Sequence, residues 1–164
     1  MLADGLGHGQ FAAEASGAAA PIFAEHADEG PAALIERMHL AMRGTRGAAV
    51  AIAELLWKER VLRYAGVGNI SAQIISFETL RGLLSHNGTL GLEARRIQEL
   101  AYPWPEDGLL VMNTDGLASH WNLEDYPLLR GRHPALIAGV LFRDHSRVRD
   151  DCTVLVIREA GRAP

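Results

Sequence analysis

The sequence predicts an α+β domain, an antiparallel β-sandwich flanked by helices. Three observations carry that expectation. Apolar residues at helical spacing open the chain, short apolar or alternating runs bounded by turn signals fill its middle, and one late helical pattern precedes a closing apolar run. Helices grouped apart from strands suit helices packed on antiparallel sheet, rather than alternating α/β units. The chain has 164 residues. That length predicts one domain over residues 1–164, with a sizeable core.

The elements follow in order. The alanine-rich stretch 12–20 reads as helix, since alanine is the best helix former, and Pro21 should disturb or end it. A second helix is predicted over 31–42. Leu34, Ile35, Met38 and Met42 recur there at helical spacing, and Pro31 suits the first turn. Strands are then predicted over 48–57, 60–65, 70–77, 79–85, 98–102 and 109–113. Gly66-Val67-Gly68-Asn69 and His86-Asn87-Gly88 read as hairpin turns. A late helix is predicted over 134–142, and Val154-Leu155-Val156-Ile157 as a buried final strand. Trp57, Trp104 and Trp121 are too dispersed for a stacking platform and read as packing residues.

Composition excludes several function classes. Nearly half of the residues are apolar and 22% are charged, which is neither disordered nor membrane-like. The net charge is −4 and the basic residues are scattered, so a nucleic-acid partner is not expected. No apolar run reaches membrane-spanning length, so a membrane partner is not expected either. The start lacks a signal-peptide pattern, and the single cysteine, Cys152, fits a reducing compartment; a cytoplasmic location is expected. Cys152 occupies a core-facing place in its strand pattern and reads as a packed thiol, not a nucleophile. The histidines form no zinc-type spacing. The loop Gly5-Leu6-Gly7-His8-Gly9 lacks both dinucleotide spacing and a Walker lysine.

Acidic residues stand where strands meet turns. Asp4-Gly5 opens the chain, Asp115-Gly116 ends the run 109–114, and Asp150-Asp151 precedes the last strand. Strand ends project short carboxylates from a rigid frame, and carboxylate with carbonyl oxygen is the donor set that magnesium or manganese prefers. Each alone is also ordinary turn chemistry. His8 reads equally as a turn histidine or as a proton carrier outside the ligand set.

Together the motifs are specific. Asp4-Gly5-Leu6-Gly7-His8-Gly9, Gly66-Val67-Gly68-Asn69-Ile70, Thr114-Asp115-Gly116-Leu117 and Arg149-Asp150-Asp151-Cys152-Thr153-Val154-Leu155-Val156-Ile157 occur in one order. This resembles the bacterial sporulation-stage-II-E branch of the protein phosphatase 2C superfamily, and within it the small serine phosphatases that feed back on the stressosome. The resemblance implies metal-dependent hydrolysis of phosphoserine or phosphothreonine by a water held between two Mn or Mg ions. It implies that Asp4 bridges both ions and that Gly5 offers its carbonyl to the second. Asp115 and Asp150 would complete the first, with Asp151 outside the ligand set. The implied partner is a phosphorylated signalling protein, an anti-sigma antagonist or a stressosome scaffold.

Family members carry a further acidic ligand on strands preceding the Asp-Gly motif. That motif begins here at the fourth residue. The expectation is a domain lacking its N-terminal strands, with an incomplete second ion site. A fragment, a misassigned start or a shortened non-catalytic chain would each account for this. The rival function is a pseudophosphatase that docks the same phosphoprotein without turnover.

Overall fold

The computed structural model describes residues 1–147 and 150–160. Arg149 of the last motif lies outside the described residues. In chain order the elements are β1 (Leu2–Gly5), α1 (Gln10–Gly17), α2 (Ala19–Glu25), α3 (Pro31–Ala41), β2 (Ala48–Leu56), β3 (Val61–Val67), β4 (Ser71–Ile75), β5 (Leu80–Gly82), β6 (Leu100–Pro103), β7 (Leu109–Asn113), α4 (Pro134–His145) and β8 (Val154–Arg158). Short 3₁₀ turns at Leu123–Asp125 and Leu129–Gly131 precede α4. The fold is α+β with two four-stranded antiparallel sheets, as expected.

The chain forms two compact units. The first comprises Met1–Ile70 with Leu84–Trp104, and the second Ser71–Leu83 with the described residues from Pro105 onward.

The first unit holds the sheet β1-β2-β3-β6. Its α3 opens on Pro31, whose missing N–H costs nothing in a first turn. Leu34, Ile35 and Met38, with Met42 at the C-cap, fall on one face and bury against Val50, Ile52 and Ala65 of the sheet. Each such side chain contributes about 1.5–3 kcal/mol on leaving water. The alanine-rich segment divides into α1 and α2, and its proline lies inside the second helix rather than ending the first directly. Pro21 has no N–H to give the carbonyl four residues back, which belongs to Gly17, the last residue of α1. Pro21 itself occupies the first turn of α2, where no such bond is required.

The second unit holds the sheet β5-β4-β7-β8. All five residues of the central strand β7 are buried. Ile137 and Leu141 of α4, with Leu123 and Leu129 of the 3₁₀ turns, cover Ile75, Leu109 and Val111. The closing strand β8 is half-buried along its length rather than buried, because it is an edge strand paired only with β7.

Neither predicted hairpin turn joins paired strands. Gly66 and Val67 are not turn residues but the end of β3, paired with Ala51 and Val50, and Gly68-Asn69 alone connects β3 to β4. His86-Asn87-Gly88 lies between β5 and β6, and each pair of strands divides between the two sheets. Local turn chemistry fixes a reversal of direction, whereas the strand found on the other side depends on distant pairing. Trp104 is buried and meets the more exposed Trp57 edge to face, with ring centroids 5.9 Å apart.

Candidate metal-binding carboxylates

Asp4 is the third residue of β1, opposite Ala49 of β2, and is half-buried. The next residue sets the local path. A Cβ on Gly5 would lie 1.9 Å from the Ala12 carbonyl oxygen, so only glycine lets the first turn of α1 settle on the strand. Beyond it the Leu6 N–H donates to the Gly47 carbonyl at 2.9 Å, which continues the β1–β2 ladder. His8 is exposed in the loop before α1.

In the second unit, Asp115 follows directly on the buried end of β7, where Asn113 and Thr114 are the buried polar residues. Thr114 joins this turn to the segment entering β8. Its N–H donates to the Thr153 carbonyl at 3.2 Å, and its hydroxyl accepts from the Thr153 N–H at 3.0 Å. The same hydroxyl donates to the Asp151 carbonyl at 3.3 Å. A Cβ on Gly116 would lie 2.2 Å from that Asp151 oxygen, so glycine is required for the two segments to touch. The Arg147 N–H donates to the Gly116 carbonyl at 2.8 Å, and the Asp150 N–H to the Arg147 carbonyl at 3.3 Å. Asp115, Asp150 and Asp151 therefore stand on two adjoining segments at one end of the second sheet.

Asp115 is half-buried there, while Asp150 and Asp151 are exposed. One Asp150 carboxylate oxygen accepts the Asp151 N–H at 3.0 Å, which fixes the side chain against its own backbone. Cys152 is half-buried, and burial first, then the charge of Asp150, pushes its thiol up from the ordinary value. That disfavours a thiolate nucleophile.

Thr114 was not singled out from the sequence. Its signal was the polar sequence Asn113-Thr114-Asp115 directly after an apolar strand, since a buried hydroxyl must find partners.

Among the described residues, no group of three or more His, Cys, Asp or Glu side chains is gathered to hold a metal ion. Two acid-bearing segments, anchored side by side and offering oxygen donors alone, suit a hydrated hard cation. Magnesium takes one or two carboxylates and keeps several waters, whereas a structural zinc site needs four closed ligands. Among the described residues no helix is long and apolar enough to cross a membrane.

The family model for stage II sporulation protein E matches residues 1–159. The phosphoserine phosphatase RsbX of Bacillus subtilis (strain 168) is 38% identical over 69 residues, 42% of this chain. The match spans 35% of that relative's length. A crystal structure of RsbX in complex with magnesium superposes with a TM-score of 0.81 at 26% identity, covering 94% of this chain and 76% of that one. The PP2C phosphatase domain of SpoIIE from Bacillus subtilis, with a fragment of its regulatory domain, shares the fold. Its TM-score is 0.72 at 17% identity, over 96% of this chain and 53% of that one. The chain belongs to the stage II sporulation protein E family, and its two antiparallel sheets with their helices are of the protein phosphatase 2C type.

Proposed function

We propose that this chain is a cytoplasmic serine/threonine protein phosphatase that uses manganese or magnesium. Its substrate is a phosphoserine or phosphothreonine on a small signalling protein of a partner-switching stress response, of the anti-sigma antagonist or stressosome scaffold type. The observation that carries the reading is the close contact of Gly116 with the Asp151 carbonyl, which keeps two acid-bearing segments together at a strand end. The likeness to RsbX, a phosphoserine phosphatase, supports the choice of substrate class.

A pair of divalent ions, when bound, supplies a water of lowered pKa and offsets the negative charge of the phosphoryl oxygens. The chain's own residues hold and orient. Asp4, Asp115 and Asp150 offer carboxylates, and Gly5 offers its carbonyl. Thr114 ties the backbone before Asp115 to the Asp151 carbonyl, and the Asp151 N–H holds one Asp150 carboxylate oxygen. Cys152 takes no part, since its raised pKa keeps it a neutral thiol.

The test is phosphate release from a phosphoserine protein with manganese. Asp4→Asn and Asp115→Asn should each lower turnover by at least about a hundredfold, above the loss typical of outer partners of a metal. Cys152→Ser should retain most activity, and loss there with the fold intact would overturn the mechanism. A second reading, a pseudophosphatase that docks the phosphoprotein without turnover, draws on the absence of a three-membered ligand group among the described residues. Tight phosphoprotein binding with no manganese-dependent release would favour it.

A further inference from the structure

The second unit carries a cavity that the proposed hydrolysis does not use. Its volume is about 390 Å³, and it lies between the β4–β5 turn and the 3₁₀ turns before α4. Three large apolar side chains of its lining stand in water: Phe77 is 70% exposed, Leu80 61% and Leu128 77%. Leu128 has a φ of 67°, a left-handed conformation that leucine seldom adopts. The wall at Phe77 is held in place. One Asp107 carboxylate oxygen accepts the Phe77 N–H at 2.6 Å and also the Arg130 guanidinium, whose carbon lies 3.9 Å from the centroid of the Phe77 ring. The charged residues of the lining are Glu78, Glu124 and Arg130. Arg130 is matched by Asp107, which leaves the two carboxylates as the excess charge. Beside the cavity, β5 is a sheet edge paired only with β4. The Ser76 N–H donates to the Thr79 carbonyl and the Leu83 N–H to the Ala72 carbonyl, so the alternation of an antiparallel ladder turns the main-chain groups of Leu80 and Gly82 away from β4.

We propose that this cavity docks a segment of the phosphoprotein in which large apolar side chains stand among lysine or arginine, away from the phosphorylated residue; the identity of the partner rests on the phosphatase reading. Phe77, Leu80 and Leu128 leave water when apolar side chains fill the cavity, and Glu78 and Glu124 select basic neighbours over acidic ones. The open edge of β5 offers main-chain partners to an extended segment, which favours a polypeptide over a small molecule. Docked segment and phosphoryl group stand apart. Ile75 of the lining pairs with Leu109, the first residue of β7, whereas Asp115 follows the far end of that strand. The rise of a strand places the two ends of β7 about 13 Å apart. The immediate neighbours of the phosphoserine therefore do not reach the cavity. A segment several residues away does, and the two contacts act as linked sites.

The experiment uses synthetic phosphoserine peptides, bare or joined through a glycine–serine linker of about ten residues to one of three tails. One tail carries leucine and phenylalanine among lysines, one the same apolar residues among glutamates, and one lysines among serines. With manganese, the apolar-basic tail should lower KM about tenfold against the bare peptide at unchanged kcat, the lower range for one buried apolar side chain. The other two tails should not. In Leu128→Gly the gain should vanish while the melting temperature holds or rises, because glycine suits the left-handed position; a merely structural leucine would cost stability. In the double variant Glu78→Lys, Glu124→Lys the preference should pass to the apolar-acidic tail. Fluorescence anisotropy of the labelled apolar-basic tail, without phosphoserine, should show binding to the unaltered chain and weaker binding to both variants. Turnover of the bare peptide without the KM gain, or without tail binding, would overturn this inference and leave the phosphatase reading standing. Tail binding with no turnover of any peptide would overturn the phosphatase reading and keep the docking site. Neither binding nor turnover would overturn both. A dimer that dissociates in Leu128→Gly would assign the cavity to a second copy of the chain and overturn the inference.

Discussion

The two units solve one problem with unequal means. Each must cover an apolar sheet face and carry an acid at a strand end. In the first, three helices cover the sheet, and α3 alone buries Pro31, Leu34, Ile35 and Met38. In the second, α4 buries only Ile137 and Leu141, and two short 3₁₀ turns supply the rest. The acids are arranged the opposite way. Asp4 stands on β1, an edge strand of four residues, whereas Asp115 follows β7, a central strand paired on both sides. The unit with the fuller helical cover thus holds its acid on an edge strand, and the unit with the thinner cover holds its acids at the end of its best-buried strand. Packing of a unit and rigidity of its site are separate properties, decided by different residues.

Core truncation should break the comparison most strongly. Leu34→Ala and Ile137→Ala each remove a buried side chain, with an expected cost of about 2–5 kcal/mol. Leu34 should fall near the upper end, because its cluster holds more fully buried residues, Ile35, Met38, Met42, Val50 and Ile52 among them. Ile137 should fall near the lower, because half-buried Trp121, Tyr126 and Val140 can close over the gap. Denaturant midpoints at constant m-value measure this, and a larger cost at Ile137 would reverse the ranking.

The glycines at the two acid sites come next. Gly5→Ala and Gly116→Ala each press a methyl onto a backbone carbonyl that cannot swing aside. About 1–3 kcal/mol is expected for each, by analogy with overpacking. Each kcal/mol should lower the melting temperature by about 2–4 °C. Gly116→Ala should also depress turnover out of proportion to stability, since it separates the Asp115 and Asp150 segments. An unchanged rate at a temperature where the variant is fully folded would show that this contact does not position the acids.

A pH effect distinguishes the units without altering packing. Burial pushes the Tyr64 hydroxyl of the first unit up from 10.0 to about 12, and its hydroxyl shares a 2.8 Å hydrogen bond with Ser85. The folded state therefore holds this proton more tightly than the unfolded chain. The contribution is fully present below the ordinary tyrosine value and is lost as pH rises from 10.0 to about 12. Stability should fall through that window, and Tyr64→Phe should flatten the fall. An equally steep profile in the variant would assign the effect elsewhere.

The smallest effect concerns a surface clamp of the first unit, where Arg63 holds both Glu54, at 2.8 Å, and Glu99, at 2.5 Å. Glu99→Gln should cost only about 0.2–1 kcal/mol, since the groups stay partly solvated. A larger loss would mean that the ion pairs themselves are worth more than an exposed clamp, since a glutamine oxygen can still accept the 3.4 Å bond from the Ala32 N–H.

Most of the elements were legible because they depend on local periodicity. The apolar spacing of Leu34, Ile35 and Met38 marked α3, and the run ending in Asn113 marked β7. The candidate carboxylates were legible because an Asp-Gly or Asp-Asp pair at a strand end is a local pattern, and the two Asp-Gly pairs occurred with two further motifs in a recognisable order. The division of the alanine-rich segment was less so. Alanine favours helix everywhere, and only the carbonyl that Pro21 cannot serve decides where the break falls. The half-burial of β8 was not legible either, since Val154-Leu155-Val156-Ile157 reads alike in a central or an edge strand.

By itself the sequence determined most of the helices and strands, which carboxylates stand at strand ends, and that Cys152 is not set up as a nucleophile. Only the tertiary structure decided which strands pair, so that Gly68-Asn69 leads from one sheet to the other instead of closing a hairpin. It alone placed Gly116 against Asp151, Thr114 between two segments, and Arg46 over Phe11. The physical reason is range. Propensity and periodicity act over a few neighbouring residues, whereas these contacts join residues 35 or more positions apart, and their formation depends on the packing of everything between them.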